Sequence, residues 1–148
     1  MIVLITGASA GFGAEMARTF VSRGHRVILA ARRTDRIADL AGELGDAALP
    51  VTLDVTSRAS IAAALAGLPA DWKGIDVLIN NAGLALNTVP AHEVPLEDWE
   101  TMIATNCKGL VTMTRLVLPD MVARGSGDRK STRLNSSHCT PSRMPSSA

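Results

Sequence analysis

Short apolar runs alternate with segments of helical period along most of the chain. Four runs rich in branched residues, Ile2 to Ile5, Val27 to Ala31, Leu49 to Leu53 and Val77 to Ile79, read as strands buried on both faces. A stretch of helical spacing follows each, so the pattern predicts repeated βα units and a doubly wound α/β parallel sheet. After the first run, Phe12, Met16 and Phe20 recur at every fourth position as a core stripe, and Gly24 is placed to end the helix. Thr34 can cap a second helix whose Ile37, Leu40 and Leu44 face inward, with Gly45 as its stop. Ser57 can cap a third, carrying Ile61, Leu65 and Leu68 and ended by Pro69. A longer helix starts near Pro95, with Glu97, Asp98 and Glu100 at the positive end of its dipole. Met102, Ile103, Leu110, Met113, Leu116 and Val117 continue its apolar face to about Ala123, and Pro119 is expected to bend its last turns.

The pattern stops at Gly127. Residues 128 to 148 hold six Ser and two Pro, with no Ile, Val, Phe or Trp, which predicts a disordered tail rather than a core element. The eleven residues Asp128 to His138 also translate a widely used sequencing-library adapter, so the tail is expected to be read-through. The natural protein is then expected to continue differently after Gly127. Asn135 opens a glycosylation acceptor that is idle without secretion. The division expected is one globular unit over residues 1 to 127 and a tail over 128 to 148.

Charge and composition exclude several classes. The formal net charge of +1 divides into +3 on the tail and −2 on the body, which is no footprint for nucleic acid. The first apolar run is far too short for a signal or membrane segment. Cys107 and Cys139 make neither a disulfide framework nor a metal cluster, so a reducing cytoplasm is the expected compartment and no metal is expected. Cys107 reads as a buried small hydrophobe, and His25 and His92 as surface residues without ligand spacing.

The strongest chemical signal is Thr6-Gly7-Ala8-Ser9-Ala10-Gly11-Phe12-Gly13, between the first strand and the first helix. Gly7 permits a tight turn, Gly11 lets backbone N–H groups approach a pyrophosphate, and Gly13 lets helix and sheet close up. The second strand ends in Ala31-Arg32-Arg33, with no acid to receive a ribose 2′-hydroxyl. Two guanidinium groups can instead pair with a 2′-phosphate, which favours NADP, unless both are simply solvated. Asp54 follows the third strand at the same sheet edge and can accept from an adenine amino group. Asn80-Asn81-Ala82-Gly83 follows the fourth, with Asn81 placed at a cofactor ribose or, alternatively, bracing neighbouring strands.

Together, TGASAGFG, the NNAG tetrapeptide and Asn106 within TNCKGL resemble the short-chain dehydrogenase/reductase family over residues 1 to about 127. Finer stretches, LPADWKGIDVLINNAGLAL and EDWETMIATNCKGL, are similar to its branch of NADP-dependent 3-hydroxy acid dehydrogenases that also reduce malonic semialdehyde. The resemblance implies a Rossmann-like sheet of which this chain supplies the order 3-2-1-4, leaving the fourth strand as an apolar edge. It implies NADP held by Gly7, Ala8, Ser9, Ala10, Gly11, Phe12 and Gly13 around the pyrophosphate and by Arg32 and Arg33 at the 2′-phosphate. Asp54 and Val55 then meet adenine, and Asn81, Ala82 and Gly83 line the ribose side. Asn106 matches the asparagine of the family's catalytic tetrad, at a break in the long helix; a mid-helix Asn could instead point outward or bond local backbone. The tetrad's tyrosine and the lysine four residues after it have no counterpart, because the chain contains no tyrosine.

The function these features imply is hydride transfer between NADP(H) and a small hydroxy acid, semialdehyde or other carbonyl substrate, in a homo-oligomeric protein. The chain as written is expected to be inactive. A non-catalytic NADP-binding module is the alternative, and it predicts a monodisperse protein whose melting temperature rises with NADP. A basic-tailed nucleic-acid binder ranks last and predicts salt-sensitive DNA binding that disappears with residues 128 to 148.

Overall fold

The computed structural model describes residues 1 to 131. Five parallel strands, β1 (Ile2–Thr6), β2 (Arg26–Ala31), β3 (Ala48–Thr52), β4 (Val77–Asn80) and β5 (Asp128–Ser131), form one sheet in the order β3-β2-β1-β4-β5. Helices α1 (Gly11–Ser22) and α2 (Thr34–Leu44) cover one face, and α3 (Arg58–Ala66) and α5 (Leu110–Ala123) the other. The strand period of two makes this possible. Val3, Ile5, Val27, Leu29 and Ile79 pack with Ala14, Ala17, Ile37 and Leu40, while Leu4, Ile28 and Leu78 pack with Ile61, Met113, Val117 and Met121. The result is the Rossmann-like arrangement expected, with strands 3-2-1-4 in the predicted order.

The fifth strand corrects the expectation that β4 is an edge. Asp128 N–H donates to the Asp76 carbonyl at 2.8 Å, and Val77 to Asn80 pair in register with Asp128 to Ser131. A parallel ladder is made by backbone groups, so a segment without apolar residues can close the edge of β4, and charged residues on an outer strand discourage further pairing. The disordered tail expected from residue 128 therefore does not begin there; Asn135, His138 and Cys139 lie outside the described residues.

The helices differ from their expected faces in instructive ways. Of the expected stripe on α1, Met16 and Phe20 pack half-buried against the core, but Phe12 is 77% exposed; the closest approach to the sheet is made by Gly13, Ala14 and Ala17, because small residues let the helix come near. Arg33, not Thr34, occupies the cap position of α2, while the Thr34 hydroxyl lies 3.1 Å from that of Thr52. Ser57 does cap α3, its Oγ accepting from Ser60 N–H at 3.2 Å. That helix stops at Ala66, and Leu68 enters the core from the following loop. The long helix is α4 (Leu96–Ile103), a π turn over Ala104–Gly109, and α5, which contains Pro119. Ile103, expected on the apolar face, is 50% exposed. No helix among the described residues is long and apolar enough to cross a membrane.

At the amino ends of the strands, opposite the glycine turn, Asp76 joins the sheet to α5. Its Oδ2 accepts from the Ile2 N–H at 2.8 Å and its Oδ1 from Arg124 Nη1 at 3.2 Å. Arg124 also donates to the Ile75 carbonyl and to Asp120 Oδ2. The Ile2 N–H holds the Asp76 carboxyl below its ordinary range, burial opposes it, and Arg124 adds to the lowering.

Candidate functional site

The carboxyl ends of β1 to β4 open on a cleft of about 820 Å³, within the roughly 300–1,000 Å³ typical of small-molecule sites. Its walls come from the glycine turn after β1, Arg32 and Arg33 after β2, Leu53 to Thr56 after β3, and Asn81 to Leu84 after β4. A cleft outside the carboxyl ends of parallel strands is where open α/β sheets bind ligands, because the βα loops diverge there.

The turn after β1 is shaped by what its glycines lack. Gly7 has φ 68°, and a Cβ on it would lie 2.9 Å from the Ala82 Cα; at Gly13 a Cβ would stand 2.4 Å from the Gly7 carbonyl oxygen and 2.6 Å from Asn81 Nδ2. These two positions join strand, turn and helix without intervening side chains. Above Gly11 nothing lies within 4 Å of the corresponding position, and no side chain caps α1 at Ala10. The backbone donors of the helix's first turn are thus accessible to an anion in the cleft.

Thr6, which sequence reasoning passed over, ties the two central loops together. Its hydroxyl accepts from the N–H groups of Asn81 and Ala82 at 3.1 and 3.0 Å and lies 3.4 Å from the Ile79 carbonyl, to which it donates. Asn81 Nδ2 answers by donating to the carbonyls of Thr6 and Gly7, at 3.1 and 3.2 Å. The bracing alternative for Asn81 therefore describes its amide nitrogen, while the residue also lines the cleft. A buried threonine between an apolar strand and the first glycine was the available signal.

At the far wall, Arg33 Nη2 donates to Ser9 Oγ at 2.9 Å, linking the end of β2 to the glycine turn. Across from it, Asp54 Oδ1 accepts from the N–H and hydroxyl of Thr56 at 2.9 and 2.8 Å. Burial pushes the Asp54 carboxyl up, but the two Thr56 bonds and the nearby Arg32 charge outweigh it and leave the group below its ordinary range. The end of β2 thus presents two cations, and among the described residues the only acid lining the cleft is Asp54, on β3's side.

Of the residues expected at the cofactor, Gly7, Ser9, Ala10, Gly11, Phe12, Arg32, Arg33, Asp54, Val55, Asn81, Ala82 and Gly83 line this cleft. Ala8 and Gly13 do not. Ala8 is buried, its N–H donating to the Ala30 carbonyl at 3.3 Å, and Gly13 is consumed by the helix–turn contact. Asn106 stands behind the wall in the π turn: its Oδ1 accepts from Leu84 N–H at 2.9 Å and its Nδ2 donates to the Leu84 carbonyl at 2.8 Å. Asn106 is exposed, and its side chain bonds the Leu84 backbone instead of its own helix. Thr105 lines the cleft beside it, and Gly109 lies so close to Val55 that a Cβ would fall 3.0 Å from the Val55 side chain. Neither was singled out from the sequence. Cys107, expected to be buried, is exposed, because the π turn directs Thr105 and Gly109 inward instead. His25 lies between α1 and β2, with its ring 6.0 Å from that of Phe20, and His92 lies in the short turn Ala91–Glu93. Among the described residues no group of three or more His, Cys, Asp or Glu could hold a metal ion.

Comparison with known proteins agrees with this architecture. The sequence profile of short chain dehydrogenases matches residues 1–128. The chain is 58% identical over 127 residues to an NADP-dependent 3-hydroxy acid dehydrogenase of Shigella flexneri, a match covering 86% of this chain and 51% of that protein. A probable NADP-dependent dehydrogenase of Dichelobacter nodosus is 59% identical over 106 residues, covering 72% of this chain and all of that sequence. Among solved structures, a closed form of serine dehydrogenase complexed with NADP+ superposes with a TM-score of 0.87 at 56% identity, covering 88% of this chain and 53% of that one. The chain spans about half the length of the 3-hydroxy acid dehydrogenases it matches.

Proposed function

We propose, for a chain that belongs to the short-chain dehydrogenase family, that residues 1 to 127 form an NADP-binding Rossmann domain. Its parent activity is hydride transfer with a small hydroxy acid, semialdehyde or related carbonyl compound in the cytoplasm. The observation carrying the cofactor reading is the meeting, in one cleft, of an open glycine turn with two arginines where an NAD site would place an acid. Arg32 and Arg33 would hold the 2′-phosphate in charge-assisted bonds, with Ser9 fixing the Arg33 fork. Backbone donors of Gly7 and of Ser9 to Phe12 would take the pyrophosphate, Asp54 and Val55 the adenine, and Asn81 to Gly83 the ribose side. The NADP-dependent names of the relatives support the same assignment.

The nicotinamide, when bound, supplies the hydride chemistry, and the protein aligns it and manages one proton. Asn106, the position matching the family's tetrad, holds the Leu84 backbone beside that end of the cleft. No tyrosine is present to donate or accept the proton. Loss of such a group removes a factor of about 10²–10⁴ or more, so we take the chain to bind cofactor without turning over substrate. The exposed Trp99, Ile103, Val111, Leu118 and Val122 of α4 and α5 support association between copies through that helix face.

Titration of the 148-residue chain with NADP+ and NAD+, followed by a steady-state assay with 3-hydroxypropanoate, serine and other small hydroxy acids, tests the reading. The expected result is saturable NADP+ binding at least about tenfold tighter than NAD+, with no NADPH formed. Equal or absent binding of the two coenzymes defeats the cofactor assignment, and measurable turnover defeats the claim of inactivity.

A further inference from the structure

The loop leaving β4 has no regular structure from Asn81 to Asn87, yet one helix face holds it at successive points. Asp98, Met102 and Asn106 stand four residues apart, the first two on α4 and the third in the π turn. That spacing stacks side chains along a single face. Asn106 exchanges two hydrogen bonds with the backbone of Leu84. One turn earlier, Met102 Sδ accepts from the Leu86 N–H at 3.5 Å, and a turn before that, Asp98 Oδ2 accepts from Asn87 Nδ2 at 3.1 Å. The loop therefore runs antiparallel to the helix, rung by rung. Its last rung requires a special backbone: Asn87 has φ 73°, the one positive value at a non-glycine among the described residues. Asparagine tolerates that conformation better than most residues, and here its side chain is anchored by Asp98.

The rungs act on the cleft through Leu84, which lines it with Asn81, Ala82, Gly83 and Thr105. In the reading above, Arg32, Arg33, Asp54 and Val55 serve the adenosine 2′-phosphate half, over β2 and β3. Leu84 and Thr105 stand on the opposite, β4 side, where the second half of the dinucleotide must lie. A loop without ladder hydrogen bonds would otherwise have to be ordered when the ligand arrives, and prior ordering removes that entropy cost from binding.

We infer that Asp98 and Met102 are positioning residues which, with Asn106, hold the Leu84 wall against the second half of the bound dinucleotide. The inference rests on the cleft being an NADP site. Part of the affinity for the whole coenzyme then passes through the ladder, and none of the affinity for its adenosine 2′,5′-bisphosphate half does.

The test uses the full 148-residue chain and the variants Asp98→Ala, Asp98→Asn and Met102→Leu, titrated with NADPH and with adenosine 2′,5′-bisphosphate. Backbone amide exchange at Leu84 and Leu86 is followed alongside. Asp98→Ala and Met102→Leu should each weaken NADPH binding by about three- to tenfold, the scale of one hydrogen bond. Bisphosphate affinity should stay within about twofold, while the two amides exchange faster. Asp98→Asn retains an oxygen for Asn87 and should restore NADPH affinity. Two rungs are altered independently, so failure of one variant to fold leaves the other decisive. Equal losses for both ligands, or faster exchange with unchanged NADPH affinity, overturn the inference while the NADP reading stands. Failure of the unsubstituted chain to bind either ligand overturns both.

Discussion

At Arg33 the proposed choice of cofactor can be tested on one side chain. Its guanidinium bonds Ser9 Oγ, which holds the fork beside the glycine turn. Replacing Arg33 by Ala removes a charge-assisted contact worth about 1.5–3 kcal/mol, or roughly 10- to 150-fold in affinity. NADP+ binding should fall by that factor and NAD+ binding should hardly change, as isothermal titration of both coenzymes would reveal; parallel losses would show that Arg33 serves the turn instead. Phe12 teaches the opposite lesson at the same scale. Helical spacing with Met16 and Phe20 placed it inside; those two do pack against the core, yet Phe12 is exposed and lines the cleft, beside the glycine and alanines by which α1 approaches the sheet.

Among the elements, the π turn decides most about the site. It places one extra residue in the helix between α4 and α5, and three of its positions serve the cleft: Thr105 lines it, Asn106 holds Leu84 and Gly109 abuts Val55. Gly109→Ala would drive a methyl group to within 3.0 Å of the Val55 side chain and 3.1 Å of its carbonyl oxygen. Overpacking of this kind costs about 1–3 kcal/mol. The expected outcome is a lower urea midpoint together with weaker adenosine 2′,5′-bisphosphate binding, since Val55 lines the cleft where the adenine is proposed to sit; unchanged nucleotide affinity would separate the turn from the site. The spacing of apolar residues from Met102 to Val117 gave no warning of the extra residue. What pointed to it was the likeness of TNCKGL to a family motif, which periodicity alone does not contain. The exposure of Cys107 has the same origin.

For the whole molecule, Asp76 is where sheet, amino terminus and α5 are fastened together. Because its folded pKa lies below that of the unfolded chain, the stability it contributes is fully present above about pH 4. That contribution is lost as pH falls from there through the folded value. Asp76→Asn should therefore be less stable than the parent at neutral pH, and the two should converge on acidification. Urea unfolding midpoints measured from about pH 7 down to about pH 2 would display this, and two parallel curves would contradict it. The same corner of the molecule carries β5, whose Asp128 N–H bonds the Asp76 carbonyl.

Four apolar strands, the glycine turn and the arginine pair were legible in the residues alone, because each depends on local spacing and residue type, whereas the order of the strands came from the family resemblance. Burial on both faces demands continuous branched runs, and a phosphate cradle demands small residues at set intervals. Packing in three dimensions set which helix residues touch the sheet, that Asp128 to Ser131 pair with β4, and that Asp98, Met102 and Asn106 grip one loop. These outcomes depend on backbone groups and side chains far apart in sequence meeting in space. A strand without apolar residues and a thioether opposite an amide leave no period by which they could be read in advance.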